Sequence, residues 1–226
     1  LEQMFTLYKE AIQEMNGHFS TKEELNEFYF DGVAILDWFK KKRGGYFSTK
    51  GYQLVGIEMP IMFPASDVNS SIYMNGFIDL VIRDTVQDKI IVYDIKTSTA
   101  GWNKYQKSDK WKANQLVLYK SYFAKQYGFP EDKIDIKYFI VKRKLIEGFA
   151  YPQKRIQEFV PASGKPTRNK LQRDIDLFIQ NSFNGDGSYN LDNNFPAIAG
   201  KNGKNCRWCE WKDDHDRCPS KNRIKE

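Results

Sequence analysis

Asp94 and Lys96 stand at the end of an apolar run, KIIVYDIK, that spans residues 89–96. Side chains alternate faces along a strand, so this acid and this base share one face. A second acid, Asp79, lies in an earlier apolar run, IYMNGFIDLVI, and the polar segment RDTVQD joins the two. A turn centred between Val86 and Gln87 pairs Ile82 with Ile91 and Leu80 with Tyr93, and it sets Asp79 opposite Asp94. Carboxylates so placed, with Cβ atoms roughly 4.5–5.5 Å apart, repel each other, and apolar flanks add a desolvation cost. A slip of one residue would send them to opposite faces. One acid can hold a proton, or a divalent cation can sit between them. Carboxylate, water and backbone carbonyl oxygens suit Mg²⁺ or Mn²⁺. Lys96 would then orient a water and stabilise charge developing on a phosphate. The plainer reading of Asp-x-Lys alone is an exposed salt pair.

These residues need a sheet to hold them. Strands are expected over YQLVGIEMPIMF, IYMNGFIDLVI, KIIVYDIKTS, DIKYFIVKRK and KRIQEFVP. A helix is expected through NQLVLYKSYFAKQYG, with Leu116, Tyr119, Phe123 and Tyr127 on one face and Gly128 as its stop. Another is expected near Lys170–Phe183, with Pro166 near its start. Before the strands, Leu1–Met15 reads as a helix with Met4, Leu7, Tyr8 and Ile12 on one face. His18 lies in the break that follows, where a solvated turn is the plain reading. Ser20 opens a second helix, with Glu23 completing a capping box. From Tyr46 the pattern turns to strands. The order predicts an α/β or α+β domain with a mixed sheet flanked by helices. Within one structural domain overall, its parts are a helical segment over 1–45, a core over 46–183 and a C-terminal, Cys-containing segment over 184–226 expected to hold a metal cluster.

The chain has 226 residues, 41% hydrophobic and 28% charged, with a formal net charge of +6. This is a folded globular composition with a basic surplus that suits a polyanion. No apolar run is long enough for a membrane span, and the charged N-terminal stretch is no signal peptide. The three Cys cluster near the C-terminus, in NCRWCEWKDDHDRCP, which points to a metal site in a reducing, cytoplasmic compartment rather than a disulfide framework.

GFIDLV, VYDIKT and the helix QLVLY together resemble the PD-(D/E)XK nucleases, most closely their RecB-type exonuclease branch in phages and bacteria. The likeness runs from about Tyr52 to Tyr127. It implies a restriction-endonuclease-like core and metal-dependent phosphodiester hydrolysis. Asp79, Asp94 and the Ile95 carbonyl would ligate Mg²⁺ or Mn²⁺, and Lys96 would serve the attacking water. Gln115 and Tyr119 match the branch's Q-x-x-x-Y helix and share a helical face. Glu58, in GIEMP, is either a further acid or a surface glutamate. The branch usually draws another ligand, His or Glu, from a helix before the sheet. Glu23, Glu24, Glu27 and His18 are available, or the ligand lies upstream of Leu1.

Cys206, Cys209 and Cys218 follow C-x2-C-x8-C. They resemble the C-terminal end of the iron–sulfur RecB-type nucleases, whose [4Fe-4S] cluster takes a fourth Cys far upstream, here outside the chain. A zinc site with His215 and free thiols are the rival readings.

WNKYQKSDKWK interleaves Trp102, Tyr105 and Trp111 with Lys104, Lys107, Lys110 and Lys112, the mixture a groove for single-stranded DNA needs. Lys142, Arg143 and Lys144 offer a second patch. Lys165 and Arg168, at a helix start, offer a third. Solvated lysines and core tryptophans are the plainer reading of each alone. The partners expected are DNA with a single-stranded region or a free end, and a replication or recombination protein. An endonuclease, or a nuclease fold that binds DNA ends without cutting, are the alternatives.

Overall fold

The computed structural model describes residues 21–224, except 147, 149 and 194, together with Thr6 and Glu10. The first expected helix with its apolar stripe, His18 and Ser20 lie outside the described residues. Five strands form one sheet in the order β1 (Tyr52–Pro64), β2 (Tyr73–Asp84), β3 (Lys89–Ser98), β4 (Ile134–Lys142) and β5 (Ile156–Phe159). β2 and β4 run antiparallel to β3 and β5 respectively, while β3 and β4 are parallel, so the sheet is mixed. A parallel neighbour requires a crossover. Here it consists of α3 (Lys104–Lys107), α4 (Lys110–Tyr127) and a 3₁₀ turn at Glu131–Lys133.

The hairpin register is the expected one, with Ile82 against Ile91 and Leu80 against Tyr93. Its turn is pinned by Asp84, whose buried carboxylate accepts the backbone N–H groups of Val86 and Gln87 at 2.9 and 3.0 Å.

One sheet face carries Ile82, Ile91, Tyr93, Phe139, Val141 and Ile156, packed by Ile35, Trp38 and Phe39 of α1 (Lys22–Lys42) and by Tyr46 and Phe47 of α2 (Gly44–Phe47). Tyr46 and Phe47 are therefore helical, and the change to strands comes at Tyr52, where the first strand was expected. Their rings meet Phe139 and Tyr93 edge-on at 5.3 and 5.6 Å, a favoured aromatic geometry. The capping box of α1 sits one residue later than expected. Thr21 Oγ1 accepts the Glu24 N–H at 3.2 Å, and the Glu24 carboxylate accepts the Thr21 N–H at 2.9 Å.

The other face carries α4. This helix starts earlier than expected, capped by Asp109, which accepts the Trp111 N–H at 3.0 Å, and it ends at Gly128 in the left-handed conformation. It buries Leu116, Val117, Tyr122 and Phe123. Its last turn also guards the edge strand β1. Gln126 takes the Met62 N–H at 2.8 Å and donates to the Pro60 carbonyl at 3.1 Å, and the Tyr127 hydroxyl donates to the same carbonyl at 2.7 Å.

Two compact units are present: Leu1–Phe63 with Met74–Leu171, and Pro64–Tyr73 with Gln172–Glu226. The expected boundary at residue 184 falls inside the second. α5 (Lys165–Ser182) begins before Lys170, taking in Pro166 near its start. Within the second unit the buried Ser66 hydroxyl donates to Asp176 at 2.5 Å, and Gln172 donates to the Ala65 carbonyl at 3.0 Å. Among the described residues no helix is long and apolar enough to cross a membrane.

Candidate active site

Backbone pairing between β2 and β3 ends at Leu80–Tyr93. One step further the register sets Asp79 against Asp94, and there a side chain replaces the ladder. Asp79 Oδ2 accepts the Ile95 N–H at 2.5 Å. A strand residue sends its N–H and its carbonyl to the same side, so the Ile95 carbonyl also leaves β3 on the side of β2.

Asp94 is 1% exposed. Burial pushes its carboxyl above the usual carboxylate range, Lys96 pulls it back, and the charge of Asp79 adds to the rise. Lys96 Nζ lies 2.8 Å from Asp94 Oδ2 and donates to Oδ1 at 3.2 Å. Asp94 Oδ2 is buried and accepts no hydrogen bond, so the ion contact with Lys96 is its compensation. The pair is thus a salt bridge, but not the exposed one that Asp-x-Lys alone suggests.

The parallel register sets Tyr138 of β4 beside Asp94. Tyr138 is fully buried, and its hydroxyl donates to the Lys112 carbonyl at the start of α4. Burial, with the Asp94 charge second, pushes the phenol pKa up, so the hydroxyl keeps its proton. Tyr138 escaped the sequence reading, although DIKYFIVK alternates in a way that puts it on the face of Ile136 and Ile140. One helical turn apart on α4, Gln115 Nε2 donates to the Tyr119 hydroxyl at 3.3 Å. A Cβ added to Gly76 of β2 would come within 3.6 Å of that hydroxyl. Asp79, Asp94 and Lys96 therefore meet where the β2–β3 ladder ends, and Tyr119, with Gln115 bonded to it, approaches β2 at Gly76.

The sequence profile of the PD-(D/E)XK nuclease superfamily matches residues 4–219. The chain belongs to the PD-(D/E)XK nuclease superfamily. A search of curated proteins found no match. Membership makes metal-dependent phosphodiester hydrolysis of DNA the coarse function, and the residues present fit a hard divalent cation. They offer two carboxylates that repel each other, a buried oxygen without a hydrogen bond, and a backbone carbonyl on the same side. Among the described residues no three His, Cys, Asp or Glu side chains converge to hold a metal. Glu58 therefore does not join the acid pair. It is exposed, with a left-handed φ of 50°. Glu27 is also elsewhere, because it pairs with Lys144 and, at 3.4 Å, with Arg143.

Those pairings correct part of the expected DNA surface. Arg143 is committed to Glu27 and, at 3.5 Å, to Asp31, and its guanidinium stacks on Phe28 at 4.5 Å. Arg143 and Lys144 therefore anchor α1 to the end of β4. Arg168 pairs with Glu131 at 2.9 Å and donates to the Ser163 carbonyl at 2.5 Å. Trp102 is corrected too. It is 8% exposed, against Tyr138 at 4.8 Å and Phe159 at 6.1 Å, with Lys112 Nζ over its ring at 5.2 Å. It is a core residue, not a stacking platform for bases. Tyr105 and Trp111 differ, being 72% and 84% exposed. Lys104 lies over the Tyr105 ring at 5.0 Å, and Lys107 is half-buried at the end of α3. Lys165 is exposed at the first position of α5, and Lys142 is half-buried at the end of β4.

Cys206, Cys209 and Cys218 are free and half-buried. They do not converge into a ligand set among the described residues, with or without His215. The expected iron–sulfur and zinc sites are therefore not assembled. Arg223 is bonded at this place, donating to the Cys218 carbonyl at 2.9 Å.

Proposed function

We propose that this chain is a Mg²⁺- or Mn²⁺-dependent deoxyribonuclease that degrades DNA from an end, in replication, recombination or repair. The observation that carries the reading is the buried Asp94, held between Lys96 and Asp79 at the point where the β2–β3 ladder stops. Asp79, Asp94 and the Ile95 carbonyl would hold the cation, which supplies Lewis acidity toward a phosphate oxygen and a water. Lys96 donates hydrogen bonds at the reacting phosphate and offsets the charge that builds there. Its Nζ is already held at 2.8 Å from Asp94, so little reorganisation is needed. Gln115 and Tyr119, tied to each other on α4, bind the DNA strand. Tyr105 and Trp111 present exposed rings for base stacking, and Lys104, Lys107 and Lys165 supply phosphate contacts. The exonuclease assignment follows the RecB-type resemblance and the exposed aromatics beside the acid strand. Linear and closed circular single-stranded DNA, each incubated with Mg²⁺ or Mn²⁺, test it. An exonuclease degrades the first and spares the second; an endonuclease cuts both.

One observation favours a second reading. No third acid or histidine joins Asp79 and Asp94 among the described residues, which suits a fold that binds DNA ends without cutting. Calorimetry with Mn²⁺ separates the two, because a degenerate pair shows no metal-dependent heat.

A further inference from the structure

A cleft of about 510 Å³ opens beside β5, lined by Tyr46, Lys142, Lys154, Ile156, Gln157 and Glu158. The cations around it are mostly committed. Lys137 pairs with Glu158 at 3.0 Å, Arg143 and Lys144 hold Glu27, and Arg155 donates to the carbonyls of Lys142 and Arg143 at 3.1 and 2.9 Å. Lys142 and Lys154 are the exception, since neither ammonium has a partner among the described residues. Both line the cleft.

The stem of Lys142 is pre-placed. Gly101 has a φ of 96°, and a Cβ built there would come within 3.0 Å of both Lys142 Cε and Gln157 Oε1. Gln157 is itself clamped to Trp102, accepting its N–H at 2.6 Å and donating to its carbonyl at 3.1 Å. A glycine at 101 thus leaves the channel through which Lys142 crosses. Among the described residues Glu158 is the one acid in the lining, and Lys137 already offsets its charge. The Tyr46 phenol keeps its proton at neutral pH, since burial, with Glu158 second, raises its pKa.

Parallel pairing sets Lys142 beside Ser98, two residues past Lys96 on β3. Standard strand spacings then put the Lys142 and Lys96 Cα atoms about 8 Å apart, close enough for phosphates of one strand to serve both. We propose that Lys142 and Lys154, with the Tyr46 hydroxyl, form a phosphate subsite for the DNA strand beyond the acid pair. The assignment rests on the nuclease reading.

The test is the salt dependence of binding of a labelled 12-nucleotide single strand to the full chain, with Ca²⁺ present in place of Mg²⁺. Each phosphate contact to single-stranded DNA contributes about 0.7 to the slope of log K against log salt. Lys142→Gln with Lys154→Gln is expected to lower the slope by about 1.4 and to weaken binding roughly 10-fold at low salt. A charge-matched control, Lys22→Gln with Lys50→Gln, is expected to keep the wild-type slope. Melting temperatures establish that both variants fold, and Lys142→Arg with Lys154→Arg should restore the slope. An unchanged slope in the first variant, in a protein that cleaves DNA, overturns the subsite alone. An equal fall in the control also overturns it, because charge rather than the cleft is then responsible. A wild type that neither binds nor cleaves the strand overturns the subsite and the nuclease reading together.

Discussion

Asp79 reaches across the end of the β2–β3 ladder to the backbone of Ile95, its Oδ2 accepting that N–H at 2.5 Å. The contact fixes one carboxylate beside the peptide that follows Asp94. It sets two acids on one sheet face, each with its own donor: the Ile95 amide for Asp79 and Lys96 for Asp94.

Asp94→Asn tests what that arrangement costs. The folded-state pKa of Asp94 is raised, first by burial. A raised acid favours folding fully below its unfolded pKa, and that contribution is lost as pH rises through the folded pKa. The variant should therefore melt higher than wild type at neutral pH, and the gain should shrink to nothing in acid. Mn²⁺ should raise the melting temperature of the wild type but not of the variant, and cleavage should fall at least about 10²–10³-fold.

Lys96→Ala removes the ion contact of a buried carboxylate. Burial then pushes Asp94 higher still, so the acid limb of the cleavage profile should move to higher pH. The rate at the optimum should fall about 10²–10⁴-fold, with DNA affinity nearly kept. A pH profile of single-turnover cleavage checks both points.

The aromatics separate in the same way. Trp102→Ala should cost about 3–5 kcal/mol of stability in a denaturant titration, as for other buried aromatics. Tyr105→Ala and Trp111→Ala should leave stability near wild type and each weaken single-strand binding by about 1–3 kcal/mol.

Tyr119→Phe deletes the acceptor of the Gln115 amide. The loss is one neutral hydrogen bond, about 0.5–1.5 kcal/mol, and should appear in KM more than in kcat.

The strands and the acid pair were legible because the signals are local. RDTVQD fixes a turn, alternation fixes the faces, and Ile82–Ile91 pairing follows. Gln115 and Tyr119 were legible from spacing on one helix. What the sequence hid depends on distant partners. Trp102 reads as part of a polar, basic loop, yet the turn at Gly101 and the clamp from Gln157, 55 residues on, fold it inward. Arg143 and Lys144 read as a basic patch, but Glu27 and Asp31 on α1 claim them. Tyr138 carries no signal of its own in the sequence, and only the parallel register sets it beside Asp94. Cysteine spacing suggested a metal site, whereas the fold of that segment gathers no set of three metal ligands among the described residues.

The most direct measurement is cleavage of end-labelled DNA in Mg²⁺ and Mn²⁺ by wild type, Asp94→Ala and Lys96→Ala, with DNA binding followed in parallel. The account predicts metal-dependent cleavage by the wild type and its loss in both variants, with the DNA still bound. Cleavage at the wild-type rate by both variants would contradict the assignment of Asp94 and Lys96 as the centre of the site.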